Sequence, residues 1–423
     1  MKTKTYDSYF LMTVADVPDY IKAKVDFFTE DEQLSVDEIG DGNVNYIFQV
    51  RGKHKSVIIK QAGDATRLDP TWQLTTERGR IEADYLAMQE KLNPGSTPEL
   101  YLYDLVMCAI IMEELSGDYA ILRFALLERR RFPRFADMFS TYLVNALVLT
   151  SDIVLDHQEK KLLAKQFINP QMCDIFEKLN NTEPFIDVYK RNRVMSENKD
   201  FVQAEFYEDV AFRLEGAKLK FEFMNNAQAL IHADLHTGAV FVREDSIKIF
   251  DTEFAFFGPM GVDPGNFTAH IFFAWANADA EAVQDVSILS FKQWLLETIE
   301  NFFALFIKKF KNLFRERVTD LMAKTPGFSE WYLGTVLSEA AGACGLELAR
   351  RTIGLSYLPD LINIQDEARR ARTERIMLRL AKDLILNRAS IKSGTDYTAA
   401  LKRATATEEA ESDEATYLDY VFL

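Results

Sequence analysis

The order of apolar and polar positions divides the chain into a β-rich beginning and a long helical remainder. Over residues 36–60, VDEIGDGNVNYIFQVRGKHKSVIIK, two short runs rich in β-branched and aromatic residues flank a polar turn, with Gly40 and Gly42 ahead of the first. Such a pattern predicts a glycine-marked hairpin. From Trp72 to Leu92 the period changes: Ile81, Tyr85, Met88 and Leu92 recur at helical spacing, and Asn93-Pro94-Gly95 ends the helix. Two further buried strands occupy residues 101–117, YLYDLVMCAIIMEELSG, and close on an acidic segment. Amphipathic helices fill most of the chain from there to about residue 390, and the following ATATEEAESDEATY is small and acidic, a composition that frays. The pattern predicts an α+β fold with a small β-rich lobe at 1–115, a large mainly helical lobe at 116–395 and an acidic, flexible tail at 396–423.

Composition narrows the partners. The 423 residues, 48% hydrophobic, are enough to bury a large core. With 49 Lys and Arg against 65 Asp and Glu, the net charge of −16 opposes contact with nucleic-acid phosphates and anionic membranes. Three cysteines, Cys108, Cys173 and Cys344, are too few and too far apart for a disulfide framework or a cysteine-based zinc site. The N-terminal MKTKTYDSYFLMTVADVPDY lacks a signal-peptide core and no run of about 18 apolar residues occurs, so a soluble cytoplasmic protein is expected.

Candidate chemistry concentrates in LIHADLHTGAVFV, 230–242, where His232, Asp234 and His236 stand at alternate positions. Alone, the triplet has three readings: buried polar residues, a His-x-Asp metal site completed by His54, His157 or His270, or the catalytic loop of a phosphotransferase. The third demands further parts in a fixed order: a glycine-marked hairpin over phosphates, a strand lysine, a helix glutamate and a metal-binding acid after the loop. Gly40-Asp41-Gly42-Asn43, Lys60, Glu82 (or Glu77) and Asp251 supply them in that order. Singly, a glycine pair is a turn and a strand-end lysine is solvated; the joint order carries the reading. Glu253, two residues past Asp251, adds a second hard oxygen donor, and the run Phe254-Ala255-Phe256-Phe257 points to burial of both acids, which then need a cation or partners. Asp234 would accept the proton of the attacking hydroxyl, Mg²⁺ and Lys60 would stabilise charge on the transferred group, and His232 would brace the loop.

Four stretches, EIGDGNVNYIF (38–48), VIIKQA (57–62), LIHADLHTGAVFV with KIFDTEFAFFGPMGVDPGNF (248–267), and CGLELARRTIGL (344–355), resemble the aminoglycoside-phosphotransferase and choline-kinase type of small-molecule kinase. The tail of the Asp251-Thr252-Glu253 triplet, through Gly261, is the most specific part and resembles members acting on methylthioribose. The resemblance implies a two-lobed, protein-kinase-like fold with ATP in the cleft between the lobes. It implies transfer of the γ-phosphoryl group to the 1-hydroxyl of methylthioribose in methionine salvage, with Asp234 as base and a homodimer as the assembly. Asn43, Lys60 and the Glu113-Glu114-Leu115 linker would contact ATP, Asp251, Thr252 and Glu253 would face the nucleotide, Asp251 and Glu253 would hold Mg²⁺, and Arg350 and Arg351 would engage the sugar and the phosphoryl region.

Three positions depart from that pattern: Ala233 replaces a glycine, Ala239 a small polar residue and Thr252 a proline. The methyl of Ala233 matters only if its backbone takes positive φ. Two rivals stay open, a sister kinase for an aminoglycoside, choline or another sugar, and a nucleotide-binding module without turnover. A protein kinase lacks support, since no His-Arg-Asp, Asp-Phe-Gly or Ala-Pro-Glu signature occurs.

Overall fold

β-Branched and aromatic residues at 35–62 pair as their alternation requires. The computed structural model describes residues 6–39, 44–67, 71–355 and 358–421, with side chains up to residue 411. Strands β1 (Ser35–Glu38), β2 (Asn45–Arg51) and β3 (Ser56–Ala62) run antiparallel in sequence order. With β4 (Leu100–Asp104) and β5 (Ala109–Glu113) they make a five-stranded sheet ordered β1-β2-β3-β5-β4. Successive side chains of a strand point to opposite faces. Val57 and Ile59 therefore join Phe48, Val50 and Ile111 in a core closed by Val17, Tyr20 and Ile21 of helix α1 (Val17–Lys24). Ile58 faces the other way, against Ala83 and Leu86 of helix α2 (Glu77–Leu92) and the strand residues Ile110 and Met112.

Helix α2 starts at Glu77, five residues later than the apolar pattern suggested. The segment before it is held in local turns, with the Thr66 N–H donating to Trp72 O at 3.0 Å and the Leu74 N–H to Asp64 O at 2.8 Å. Its end follows expectation, with Asn93 as cap and Gly95 at φ +75°.

The chain divides into two compact units, one of Met1–Ala120, Asn169–Met172 and Phe241–Ala255, the other of Ile121–Ile168, Cys173–Val240 and Phe256–Leu423. The first holds the five-stranded sheet, α1 and α2. The second is mainly helical, so the fold is α+β, a small antiparallel sheet part and a large helical part. In the second unit the helices Val262–Asp279 and Phe328–Ile353 meet at their backbones. A Cβ on Gly261 would lie 2.4 Å from Ala340 N, and one on Gly265 2.4 Å from Ala340 O, so only glycine fits at either position.

The stretch expected to fray is instead helical, from Gly394 to Val421. Tyr397, Ala400, Leu401 and Ala404 are buried at i, i+3, i+4 and i+7, an apolar stripe that the acidic average of 396–423 conceals.

Candidate active site

In the first unit, strand alternation brings Lys60 to the face covered by α2, where Glu82 sits one turn from the Ala83–Leu86 contact. The Lys60 Nζ donates to Glu82 at 2.7 Å and to Asp251 Oδ1 at 2.6 Å. Glu82, rather than Glu77, is the lysine's helix partner; Glu77 pairs with Arg80 at the surface. Burial pulls the Lys60 ammonium down, but the Asp251 and Glu82 carboxylates outweigh it and hold the group above the usual range. Burial pushes the Glu82 carboxyl up to about 7 against the pull of Lys60. Asp251 remains open to solvent, its side chain 41% exposed, and has φ +64°, a conformation Asp tolerates.

Glu253 is held differently. Its Oε2 accepts from Arg78 Nε and from Asn45 Nδ2, each at 3.0 Å. The fully buried Arg78 gives its remaining donors to Gly63 O, Thr75 O, Val44 O and Asn45 Oδ1, so all five are used. This guanidinium ties the Asp251–Glu253 turn to β2 and to the approach to α2. Thr252 is buried, with its hydroxyl 3.5 Å from Glu82 O, and Asn169 Nδ2 donates to Glu253 O and Ala255 O. Of the expected linker, the Glu113 amide is committed to Glu99 O and its carboxylate accepts from Lys248 at 2.8 Å. Glu114 Oε1 accepts from Gln49 and Ser116, and Leu115 O closes a turn to Asp118 and Tyr119. Asn43 and the glycines of Gly40-Asp41-Gly42 lie outside the described residues.

The second unit carries Asp234 and the paired arginines. Helical spacing from Glu347 to Arg350 and Arg351 is i,i+3 and i,i+4, which puts all three on one face. Glu347, fully buried, accepts from Arg350 Nε at 2.5 Å and from Arg351 Nε at 2.8 Å. Both arginines then reach forward to Asp234 Oδ1, at 2.7 Å from Arg350 and 3.4 Å from Arg351. Burial would raise the Asp234 carboxyl, but Arg350, with His236 and Arg351, outweighs it and holds the group well below the usual carboxylate range. Glu347 is likewise held down against burial, by both arginines. His270 Nε2 donates to Glu347 Oε1 at 2.8 Å, and burial lowers the imidazole to about 4, so it is neutral at physiological pH. His236 lies 3.6 Å from Asp234 Oδ2, beyond a hydrogen bond.

Several positioning residues escaped the sequence reading. Asp263, buried in the first turn of the helix Val262–Asp279, accepts the His232 N–H on Oδ2 at 2.8 Å and the Ala233 N–H on Oδ1 at 2.9 Å. Asn266 Nδ2 donates to Ala233 O at 3.1 Å. These three bonds hold Ala233 at φ +69°, the left-handed region where an L side chain costs roughly 1–2 kcal/mol. Ala233→Gly removes that strain but also a buried methyl, about 0.8 kcal/mol. The expected net is a gain of up to about 1 kcal/mol in denaturant unfolding, and a loss larger than about 1 kcal/mol would refute the strain.

No family model matches the chain. It is 35% identical to the methylthioribose kinase of Exiguobacterium sibiricum over 379 residues, 89% of this chain and 93% of that protein. The methylthioribose kinase of Klebsiella pneumoniae subsp. pneumoniae is 32% identical over 399 residues, 93% of this chain and 99% of that one. Among solved structures, spectinomycin phosphotransferase in complex with ADP and spectinomycin is similar at a TM-score of 0.43 and 13% identity, covering 90% of this chain and 98% of that one. Identity at this level across nearly the whole of both chains establishes kinship, and this chain belongs to the methylthioribose kinase family of small-molecule kinases.

Proposed function

We propose that this chain transfers the γ-phosphoryl group of ATP to the 1-hydroxyl of 5-methylthioribose, in methionine salvage. The observation that carries the reading is Asp234 held by two arginines that share one buried glutamate. In the proposed roles, Asp234 receives the hydroxyl proton, Arg350 and Arg351 engage the sugar and the incoming phosphoryl group, and Lys60 faces the nucleotide phosphates with Thr252 packed beneath. Asn43 and the backbone of Glu113, Glu114 and Leu115 contact the rest of ATP. A carboxylate held so far below its usual range is a weak base. Its main contribution is then to align the hydroxyl, and a loose phosphoryl-transfer transition state asks for little more until the proton is already leaving.

In the proposed reading Asp251, the solvent-open acid, holds Mg²⁺ together with Glu253, whose Oε2 is already bound by Arg78 and Asn45. Three carboxylates, Glu82, Asp251 and Glu253, face two cations, Lys60 and Arg78, and Asp251 is the open one. Among the described residues no group of three or more His, Cys, Asp or Glu forms a metal site. One or two carboxylates with phosphate oxygens completing the shell is the usual magnesium arrangement. When bound, the ion neutralises charge on the nucleotide phosphates. The same reading expects a cytoplasmic homodimer; no helix among the described residues is long and apolar enough to cross a membrane.

The test is ADP release from Mg·ATP with methylthioribose, ribose, choline or an aminoglycoside as acceptor. Turnover is expected with methylthioribose alone. Turnover with another acceptor would replace the substrate, and silence with all four would remove the proposed reaction.

A further inference from the structure

We propose that Arg123 is a third guanidinium of the acceptor site, one that binds the phosphate of the phosphorylated product and contributes little to binding the neutral sugar. The inference rests on the kinase reading above. Arg123 stands on the short helix Leu122–Leu127 and its side chain runs against the catalytic loop. A Cβ on Gly238, four residues past Asp234, would lie 2.9 Å from Arg123 Nη1 and 3.0 Å from its Cζ. A glycine in that position leaves room for the guanidinium. Nη2 is 3.5 Å from His270 Nδ1, and the other nitrogen of that ring donates to Glu347. Arg123 thus reaches, through His270, the acid that anchors Arg350 and Arg351.

Its partners set it apart from that pair. Arg350 and Arg351 each hold Glu347 and Asp234. Among the described residues, Arg123 Nε is buried without a hydrogen-bond partner and no carboxylate forms an ion pair with the group. The His270 ring that it meets at 3.5 Å is neutral. Burial lowers the guanidinium to about 10 despite the more distant attraction of Asp360. Asp360, itself buried with Oδ2 unpartnered, attracts the group but forms no ion pair with it, and a buried cation without a bonded anion is costly. The cost is understandable if the anion arrives during the reaction.

Phosphoryl transfer supplies it. The bond from the sugar O1 to phosphorus forms as the bond from phosphorus to the departing ADP oxygen breaks, ADP leaves with that electron pair, and the hydroxyl proton passes to Asp234. A neutral acceptor becomes a phosphate monoester beside Asp234, whose charge Arg350 and Arg351 already share with Glu347. The planar fork of Arg123, with donors unspent, matches a phosphate and has no comparable use for a neutral sugar.

Calorimetric titration of methylthioribose and of its 1-phosphate into wild type, Arg123→Met and Arg123→Lys tests this, with thermal melting of each protein. Arg123→Met is expected to weaken the 1-phosphate about 10- to 100-fold, as loss of charged hydrogen bonds does, while methylthioribose changes less than about twofold. Its Tm is expected to be equal or higher, since an unpaired buried charge is gone, and Arg123→Lys should keep part of the phosphate affinity. Equal weakening of both compounds, or a lower Tm with phosphate affinity intact, would make Arg123 a structural brace and overturn the proposal. Inorganic phosphate, titrated in parallel, separates this from failure of the acceptor assignment. Arg123-dependent phosphate binding in a protein indifferent to methylthioribose upholds the anion site and discards the sugar. Phosphate binding that ignores Arg123 overturns the site.

Discussion

Asp234→Asn is expected to lower turnover by roughly 10²- to 10⁴-fold while nucleotide affinity stays within about twofold. The amide keeps an oxygen for Arg350 Nη2, so the 2.7 Å contact can persist in neutral form, and Glu347 continues to anchor both arginines. What is lost is the negative charge proposed to orient the hydroxyl and receive its proton. The Lys60–Glu82–Asp251 cluster shares no residue with Asp234, so nucleotide binding provides the control. Single-turnover ADP release alongside an ADP titration makes the comparison. Wild-type rates in the variant would remove Asp234 from the chemistry.

The second large effect belongs to a residue proposed to touch no substrate. Glu347→Gln is expected to cost about 3–5 kcal/mol of stability, the usual result of removing one charge from a buried ion-pair network. Glu347 is fully buried and serves Arg350, Arg351 and His270 together, so its loss leaves two guanidinium groups with Asp234 as their remaining acid. Its carboxyl is held well below the usual range, so the stabilisation is complete above about pH 5 and is lost as acid titrates the folded state. Urea midpoints of wild type and variant at neutral pH are the measurement. A neutral midpoint shift of zero would mean that the arginines are anchored elsewhere.

The legible parts of this molecule were those whose signal is local or ordered. The strand lysine Lys60, Glu82 in the helical period from Ile81 to Leu92, and Asp251 after the catalytic-loop motif were read from their order along the chain, and the structure joins the three. Arg350 and Arg351 emerged from the resemblance alone, and the structure shows that both hold Glu347 and both reach Asp234. Glu347 had a signal that went unused, an acid at i−3 and i−4 from two arginines on an apolar helix. Asp263, Asn45, Arg78 and Arg123 had none. Their long-range partners lie far along the chain, 30 residues away for Ala233 with Asp263 and 208 for Glu253 with Asn45, and no periodicity links positions so distant. Average composition also hid the apolar stripe of Tyr397, Ala400, Leu401 and Ala404 in the helix Gly394–Val421, because it does not register spacing.

Gly261 and Gly265 extend the argument to residues without side chains. The helix beginning at Val262 carries Asp263, which grips the catalytic loop, and the helix ending at Ile353 carries Glu347, Arg350 and Arg351. These helices are in register because two α-hydrogens allow one backbone to rest on the other. Alignment of Asp234 with its arginines is therefore a tolerance problem, and part of its solution is written as absence: a single methyl group at either glycine would displace the loop and the arginines relative to one another. The proposed acceptor chemistry thus depends on two of the chain's least reactive residues as strictly as on its acids.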